Sequence, residues 1–379
     1  TTMLTGLYPP EHGCRVNGMH RLGEGIPTLA EVLRKHGYET AAFVAAFVLD
    51  AQFGLGRGFD KYDDYEVQDT GDAYQNNMYK YRRGDVVADS VLDWIKSRPT
   101  DKPFFCWVHF YDPHHPYHYK KNPYDKEITF MDKNVGRVLR ALRERGWLKN
   151  TLVIAVVDHG EGLGEHDEDE HGLLLQPNVM RVPMIVTWPG HVPTNSVTDV
   201  SVSLVDLFPT VTDLLGIKTA VRTSGRSLAG LFADPAVKPA ARPLYMETEF
   251  PLTEYGWAPI SGVQGAEWKY IQTTVEELYD SLGDPWETNN VIETRVDTAE
   301  EMRADLDSAK KAMKIREQVK VKLDRAAQDA LESLGYIGGG GSETNGVLRN
   351  CRDVIGLRRD FTTAMGMEET RRFDKAEDM

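Results

Sequence analysis

Cysteine is scarce in this sequence: its 379 residues include only Cys14, Cys106 and Cys351. The three lie far apart and match neither a CxxC motif nor a zinc-ligand spacing. An odd and sparse set of this kind provides no disulfide framework and no cysteine-based metal cluster. Cysteine usage therefore leaves the redox compartment of the protein undetermined.

Long apolar runs and Lys/Arg-rich tracts are also missing. The longest apolar candidate, residues 40–49, is too short for a membrane span, which needs about 20 residues, and instead predicts a buried strand. The formal net charge is −14, and without a basic face neither nucleic acid nor an anionic membrane is expected as the main partner. An anionic substrate remains compatible with this charge, because a metal and a few His or Lys side chains make a site locally positive.

The rest of the composition is typical of a globular protein, with 41% hydrophobic and 27% charged residues. The length is sufficient for one large α/β domain or for two domains with full cores. The first residues resemble neither an initiation context nor a signal peptide, and the last residues stop inside a helical pattern. We therefore expect both ends to be the edges of a fragment, so the ends do not indicate a location.

Hydrophobic patterning predicts an α/β fold with a mostly parallel sheet flanked by helices. Near-continuous apolar runs indicate strands buried on both faces, and apolar residues on one stripe indicate amphipathic helices. Strands are predicted at residues 40–44, 103–110, 152–157 and 183–188, and helices at residues 28–36, 124–146 and 204–215. A strand, an amphipathic helix and a further strand are the pattern of a right-handed βαβ unit.

From about residue 243 the apolar segments become short and are separated by turn residues. This change of pattern, together with the glycine run further on, divides the chain into four predicted regions. The α/β core is expected over residues 1–240. Short segments at 268–272 and 276–279, followed by a charged helix over 298–334, predict a small antiparallel α+β subdomain over residues 241–336. A run of four glycines and a serine at residues 338–342 predicts a flexible linker over residues 337–346. Residues 347–379 resume a helical pattern.

Two polar clusters follow predicted strands at the edge of the sheet where ligands bind in open α/β folds. One is Tyr-Asp-Pro-His-His-Pro-Tyr at residues 111–117, and the other begins with Asp158 and His159 and ends at His171. A carboxylate and an imidazole at a strand end can face one cation while glycines let the backbone bend around it. The structural alternative for this pair is a turn with a helix cap, and we interpret residues 167–170 as a solvated acidic loop.

Several collinear stretches resemble signature segments of the sulfatases, members of the alkaline phosphatase superfamily, and in particular bacterial sulfatases with a C-terminal tetratricopeptide region. The stretches are LTGLYPPEHG (4–13), FGLGRGFD (53–60), HFYDPH (109–114), DHGEGLGEH (158–166), RVP (181–183), ELYD (277–280) and LGY (334–336). The resemblance implies an alkaline phosphatase-like fold and metal-dependent hydrolysis of sulfate esters. It also implies a periplasmic or extracellular location.

The resemblance implies roles for five positions. Asp158 and His159 resemble a pair of metal ligands, with calcium expected and manganese or zinc admitted by the imidazole. His114 resembles the histidine that contacts the transferred group or its leaving oxygen. His171 occupies a place where relatives have Lys or His, and Asn17 resembles a substrate-contacting asparagine. His114 and His171 are therefore the predicted catalytic residues, and both bind substrate together with Asn17.

The nucleophile that the resemblance implies is a Cys or Ser matured to formylglycine within a Cys/Ser-x-Pro-x-Arg motif. The family's spacing places it nine residues before Thr5, upstream of this chain, together with an early strand that carries other metal-ligand carboxylates. We expect the full-length protein to act through a covalent intermediate on this group. The 379-residue chain is expected to be inactive and to bind metal poorly, and measurable ester turnover by it would contradict this expectation.

Two alternatives remain open from the sequence. His159 and His171 favour a phosphodiester or phosphonate monoester hydrolase on the same scaffold, because the Asp-His form resembles a branch with those activities. The other alternative is a non-catalytic scaffold that presents helical repeats to protein partners from the C-terminal region. The joint presence of all five site residues argues against this scaffold.

Overall fold

The structure is a computed structural model, and it describes residues 1–64, 81–98, 102–115, 117–119, 122–233, 239–325, 327–328, 331 and 348–356. The described residues form two compact units. Unit 1 comprises Thr1–Ala155, Met184–Ala241 and Lys311–Gly338, and unit 2 comprises Val156–Pro183, Arg242–Lys310 and Gly339–Met379. The boundaries predicted at residues 240 and 336 stay predictions.

Helices and strands alternate along the first half of the chain, and strands cluster in the second half. The strands are β1 (His20–Arg21), β2 (Glu39–Phe43), β3 (Lys61–Asp63), β4 (Phe104–Val108), β5 (Val153–Val156), β6 (Met184–Thr187), β7 (Leu244–Thr248), β8 (Ile260–Gln264), β9 (Trp268–Gln272), β10 (Glu276–Asp280) and β11 (Val319–Lys320). The helices are α1 (Thr2–Thr5), α2 (Pro9–His12), α3 (Leu29–Lys35), α4 (Gly84–Ser97), α5 (Pro123–Glu144), α6 (Pro177–Met180), α7 (Leu207–Leu214), α8 (Ala229–Ala233), α9 (Phe250–Tyr255) and α10 (Val296–Ala312). No helix of the described residues is long and apolar enough to cross a membrane.

A parallel sheet of order β3-β2-β4 forms the centre of unit 1. Ala41, Ala42 and Phe43 of its middle strand are fully buried, as expected for a strand covered on both faces. Helix α4 places Trp94 against Phe43, with 5.9 Å between the ring centroids. The parallel α/β sheet predicted from the sequence is therefore confirmed.

Local signals account for the helix that precedes β2. The Thr28 side chain accepts the N–H of Glu31 at 3.2 Å, and the Glu31 carboxylate accepts the N–H of Thr28 at 2.8 Å. This reciprocal capping box satisfies two backbone donors that the first turn leaves unpaired. The helix stops before Gly37, whose φ of 85° lies in the left-handed region that favours glycine.

Strands β5 and β6 differ from the expectation of strands buried on both faces. They pair with each other in a two-stranded sheet, and Ile185 of β6 is 65% exposed. Val157, directly after β5, is 40% exposed. An apolar run reports the strand propensity of its residues, whereas burial depends on which elements cover each face.

Unit 2 is built on an antiparallel sheet of order β10-β9-β8-β7. The predicted strands at 268–272 and 276–279 are confirmed as β9 and β10. One face of this sheet contributes to a hydrophobic cluster that a loop preceding α6 completes. The buried members of the cluster are Leu173, Leu174, Leu175, Ile260, Ile271, Tyr279, Cys351 and Ile355.

The charged helix predicted over residues 298–334 is wrong between residues 313 and 324, which are not helical, whereas the described residues 325, 327, 328 and 331 are helical. Helix α10 ends at Ala312, and Val319–Lys320 forms β11, which pairs antiparallel with β1. Two β-branched valines at alternate positions, Val319 and Val321, favour a strand there. The predicted linker, 337–346, lies outside the described residues, and of the predicted helical region 347–379 the structure describes residues 348–356, helical over 351–356.

Candidate active-site loop

The segment from Asp158 to His171, here called the 158–171 loop, leaves the end of β5 and belongs to unit 2. Its backbone folds back on itself through hydrogen bonds from Gly160 N–H to the Val179 carbonyl (2.8 Å) and from Gly162 N–H to the Glu170 carbonyl (2.7 Å). A Cβ on Gly162 would lie 2.6 Å from the Glu170 oxygen. The glycine-rich sequence of the loop is therefore a packing requirement of its tight fold.

Glu168 corrects the interpretation of residues 167–170 as a solvated loop. Its side chain is fully buried, and its Oε1 accepts the N–H groups of Leu173 (2.8 Å) and Leu174 (3.2 Å). These leucines belong to the hydrophobic cluster on the antiparallel sheet. A carboxylate that accepts two backbone donors is stabilised in a buried position, so Glu168 connects the loop to the core of unit 2.

Asp158 and His159 lie side by side, with 3.8 Å between Asp158 Oδ2 and His159 Nε2. The other ring nitrogen, Nδ1, is 2.9 Å from the Gly160 carbonyl. A carbonyl oxygen accepts and never donates, so in a neutral imidazole this contact places the proton on Nδ1 and the lone pair on Nε2. The two side chains thus present one oxygen and one nitrogen donor at a spacing that one cation bonded at about 2.0–2.4 Å can bridge.

His171 lies directly against this pair. Its ring stacks on His159 with 3.9 Å between centroids and an interplanar angle of 26°. Its Nδ1 is 3.0 Å from Oε1 of Glu161, and the two side chains are only 15% and 5% exposed. The carboxylate fixes the orientation of the His171 ring, which is how carboxylate–imidazole pairs orient functional histidines.

Glu161 is a functional candidate that the sequence reasoning missed. The signal was present in the quartet Asp158-His-Gly-Glu161, because a carboxylate two residues after His159 is available to a second imidazole across the loop. Pairing Glu161 with His171, ten residues away, requires the fold of the loop itself. No periodicity in the sequence encodes that fold.

Asp158 and His159 are the two predicted metal ligands, and both lie within the described residues. Among them, no group of three or more His, Cys, Asp and Glu side chains is arranged to hold a metal ion. Asp158 and His159 alone fit a divalent cation by donor type, tautomer and spacing. Their roles as metal ligands stay predictions.

His114 and Asn17 belong to unit 1, and each is described there by itself. The His114 ring stacks on Tyr111 with 4.2 Å between centroids, and its Nδ1 contacts the His115 carbonyl. Asn17 is exposed in a turn that precedes β1. The structure therefore brings together Asp158, His159 and His171, whereas the substrate contacts of His114 and Asn17 stay predictions.

Comparisons with protein families cover most of the chain. The model of the family described as "Sulfatase" matches residues 1–217. A second model, "N-sulphoglucosamine sulphohydrolase, C-terminal", matches residues 164–317. Among curated proteins, an endo-4-O-sulfatase of Bacteroides thetaiotaomicron is 26% identical in an alignment 384 positions long, which covers 76% of this chain and 75% of that protein.

Solved structures share the fold. One, in complex with its substrate D-glucosamine-2-N,6-O-disulfate, superposes with a TM-score of 0.68 at 18% identity and covers 82% of this chain and 86% of the other. A phosphonate monoester hydrolase from Silicibacter pomeroyi superposes with a TM-score of 0.62 at 19% identity, over 83% and 85% of the two chains. At these identities the likeness shows the alkaline phosphatase-like α/β fold and does not distinguish the two activities.

The sulfatase match spans more than half of the 379 residues and includes His114, Asp158, His159 and His171. It agrees with the predicted enzyme class, that of the sulfuric ester hydrolases. The chain therefore belongs to the sulfatase family.

Proposed function

We propose that the full-length protein hydrolyses sulfate esters with a divalent cation and a formylglycine-type nucleophile, and that sugar sulfates are its substrate class. The observation that carries the proposal is the cluster of Asp158, His159, His171 and Glu161 in one loop. The sugar assignment is supported by the N-sulphoglucosamine sulphohydrolase match over residues 164–317 and by the glucosamine disulfate bound to one structural relative.

Each residue of the loop has a separate task in this proposal. Asp158 and His159 hold the cation, with calcium expected and manganese or zinc as alternatives. When bound, the cation supplies the positive charge that neutralises the anionic oxygens of the ester. His171, oriented by Glu161, faces the ester as a fixed donor for the charge that develops on the leaving oxygen.

His114 and Asn17 have proposed roles that rest on the family resemblance. An imidazole and an amide are both donors to sulfate oxygens, and the family resemblance assigns them to the transferred group. The nucleophile is proposed to lie in a Cys/Ser-x-Pro-x-Arg motif, which the sequence of this chain does not contain. A periplasmic or extracellular location and a protein-binding role for residues 347–379 are further parts of this proposal.

The first experiment reads the coding DNA upstream of Thr1. A Cys or Ser followed by x-Pro-x-Arg nine residues before Thr5 supports the proposal, whereas a residue without a nucleophilic side chain contradicts it. The full-length enzyme is then stripped with a chelator and assayed on glucosamine sulfates with calcium, manganese or zinc restored singly. We expect turnover to return with calcium. Full turnover without any added cation would refute the metal requirement.

Side-chain replacement tests the loop itself. Glu161→Ala is expected to lower turnover by about 10- to 100-fold, the usual effect of removing a carboxylate that orients a functional histidine. His171→Ala is expected to have at least the same effect. His191→Ala is the matched control, because His191 packs against Trp188 in unit 1 and has no proposed role. Equal turnover in all three variants would refute the assignment of the loop.

Hydrolysis of phosphonate monoesters or phosphodiesters is the second candidate, favoured by the adjacent imidazoles of His159 and His171. The ratio of kcat/KM for 4-nitrophenyl sulfate to that for 4-nitrophenyl phenylphosphonate discriminates the two. A ratio above one supports the sulfatase proposal. A ratio far below one, together with an unmodified Ser or Thr nucleophile, would transfer the assignment to phosphonate chemistry.

A further inference from the structure

A buried carboxylate holds the turn that carries His114. The side chain of Asp112 is 1% exposed, and its Oδ1 accepts the N–H of Gly84, the first residue of α4, at 2.9 Å. The residue before the helix, Arg83, makes no side-chain capping bond. Asp112 therefore caps α4 from outside the helix, and the negative end of the carboxyl dipole faces the positive end of the helix.

A second buried carboxylate holds the chain just after this turn. Glu127 of α5 is 2% exposed, and its Oε1 accepts the N–H of His118 at 2.5 Å. The two acids thus bind the segment around His114 to both neighbouring helices, Asp112 to the start of α4 and Glu127 to the first turns of α5. Each of these buried hydrogen bonds restricts the backbone at its own end, Asp112 at the start of the turn and His118 after it.

The position of the His114 ring depends on that backbone. The His114 N–H donates to the Tyr111 carbonyl at 3.0 Å, and the His114 ring stacks on the Tyr111 ring. Tyr111 is 7% exposed and packs on Tyr81, with 5.3 Å between centroids. Asp112 lies between Tyr111 and His114 in the chain. Its hydrogen bond to Gly84 therefore fixes the backbone next to Tyr111, the residue on which the His114 imidazole stacks.

We propose that Asp112 is a positioning residue for His114: its bond to Gly84 fixes the backbone of residues 111–114 and thereby the direction of the imidazole. The inference rests on the proposed function, in which His114 contacts the transferred sulfate group. It adds a residue to which the family match and the resemblance assign no role.

The enclosure of Asp112 is tight and electrostatically costly. A Cβ on Gly84 would lie 2.6 Å from Asp112 Oδ2, and this oxygen is buried with no hydrogen-bond partner among the described residues. Burial, and next the charge of Glu127, raise the pKa of Asp112 to about 6, whereas the Gly84 N–H and Arg83 lower it. A neutral group of the same shape therefore suits the site, because it keeps an acceptor for Gly84 without the cost of a buried charge.

Asparagine and alanine replacements separate the anchor from the charge. In Asp112→Asn the amide oxygen still accepts the Gly84 N–H, and in Asp112→Ala no acceptor remains. Asp93→Asn on the exposed face of the same helix is the matched control, since the Asp93 side chain is 77% exposed. Circular dichroism and thermal unfolding establish that each variant is folded before the other measurements are made.

The direct readout is the NMR signal of the His114 ring in the ¹³C-histidine-labelled chain, assigned with His114→Ala. We expect Asp112→Ala to shift and broaden this signal, Asp112→Asn to restore it, and Asp93→Asn to leave it unchanged. A His114 signal that is the same in Asp112→Ala and in the wild type would overturn the proposal. This measurement needs no turnover.

The second readout is turnover of sulfate esters by the full-length enzyme. A misplaced functional group lowers the rate by about 100-fold when it moves by 1 Å, so we expect Asp112→Ala to lose roughly this factor in kcat and Asp112→Asn to retain activity. Wild-type turnover in Asp112→Ala would overturn the positioning role. Wild-type turnover in His114→Ala would instead contradict the proposed function at His114, and the NMR result distinguishes these two failures.

Discussion

The contact between Gly84 and Asp112 predicts opposite effects of one substitution at two helical glycines. Replacing glycine by alanine inside a helix stabilises it by about 1 kcal/mol, because alanine loses less backbone entropy on folding. Gly136 of α5 has nothing within 4 Å of an added Cβ, so Gly136→Ala is expected to stabilise the protein by about 0.5–1 kcal/mol. An added Cβ at Gly84 would lie 2.6 Å from Asp112 Oδ2 and 3.1 Å from Phe110.

The Gly84 substitution is therefore expected to be destabilising. Overpacking of a buried site costs about 1–3 kcal/mol, which exceeds the gain from alanine in the first turn. The net expectation is a loss of roughly 1–2 kcal/mol for Gly84→Ala, and therefore a difference of about 1.5–3 kcal/mol in unfolding free energy between the two variants. The assay is thermal unfolding followed by circular dichroism, where each kcal/mol moves the midpoint by roughly 2–4 °C for a unit of this size.

The double variant Gly84→Ala/Asp112→Ala provides the control for this reasoning. Removal of the carboxylate removes the oxygen that the new methyl group meets, so the second substitution costs less in the Gly84→Ala background than in the wild type. If Gly84→Ala instead raised the unfolding midpoint as much as Gly136→Ala, Asp112 would not be enclosed against α4. The anchor proposed for the His114 turn would then lose its structural basis.

Three further predictions concern buried groups. Gly162→Ala is expected to destabilise unit 2 by about 1–3 kcal/mol, because its Cβ would meet the Glu170 carbonyl; an unchanged urea midpoint would contradict it. Lys269 and Glu287 form a 2.9 Å ion pair with side chains only 2% and 4% exposed. Lys269→Met is therefore expected to lower the unfolding free energy by about 3–5 kcal/mol, and the double variant Lys269→Met/Glu287→Gln is expected to recover most of this loss. A double variant that is no more stable than Lys269→Met would refute this prediction. The pKa of Asp112 is raised to about 6 from an ordinary 3.8, so its contribution to stability is fully present below about pH 4 and is lost as the pH rises through 6. Relative to Asp112→Asn, the wild type is expected to lose roughly 3 kcal/mol of unfolding free energy between these pH values. Parallel pH profiles of the two proteins would contradict this prediction.

Much of the fold follows from short-range patterns in the sequence. The Thr28–Glu31 capping box and the apolar alternation of β9 and β10 are local signals, and the structure contains the corresponding elements. The polar residues that follow β5 also identify the candidate loop, since only Val157 separates the end of the strand from Asp158, the first residue of the loop. Local patterns were sufficient where neighbouring residues decide the conformation.

The missed features depend on contacts between distant residues. Glu168 looks solvated within a run of four acids, and only the N–H groups of Leu173 and Leu174 make its burial favourable. After the end of α10 at Ala312, β11 pairs with β1, which lies almost 300 residues earlier in the sequence. No residue beside Glu168 indicates its burial, and the valines of β11 favour a strand without indicating β1 as its partner.

The position of the three leucines after His171 has a thermodynamic consequence. They lie in the core on the antiparallel sheet, and the Gly172 carbonyl accepts the Thr248 hydroxyl at 2.6 Å. The arrangement of His159 and His171 is thereby linked to the cooperative folding of β7–β10, strands that contribute none of the proposed ligands. A ligand that requires this arrangement also stabilises the sheet against unfolding. Substitutions in the sheet core accordingly weaken ligand binding by lowering the population of the folded unit.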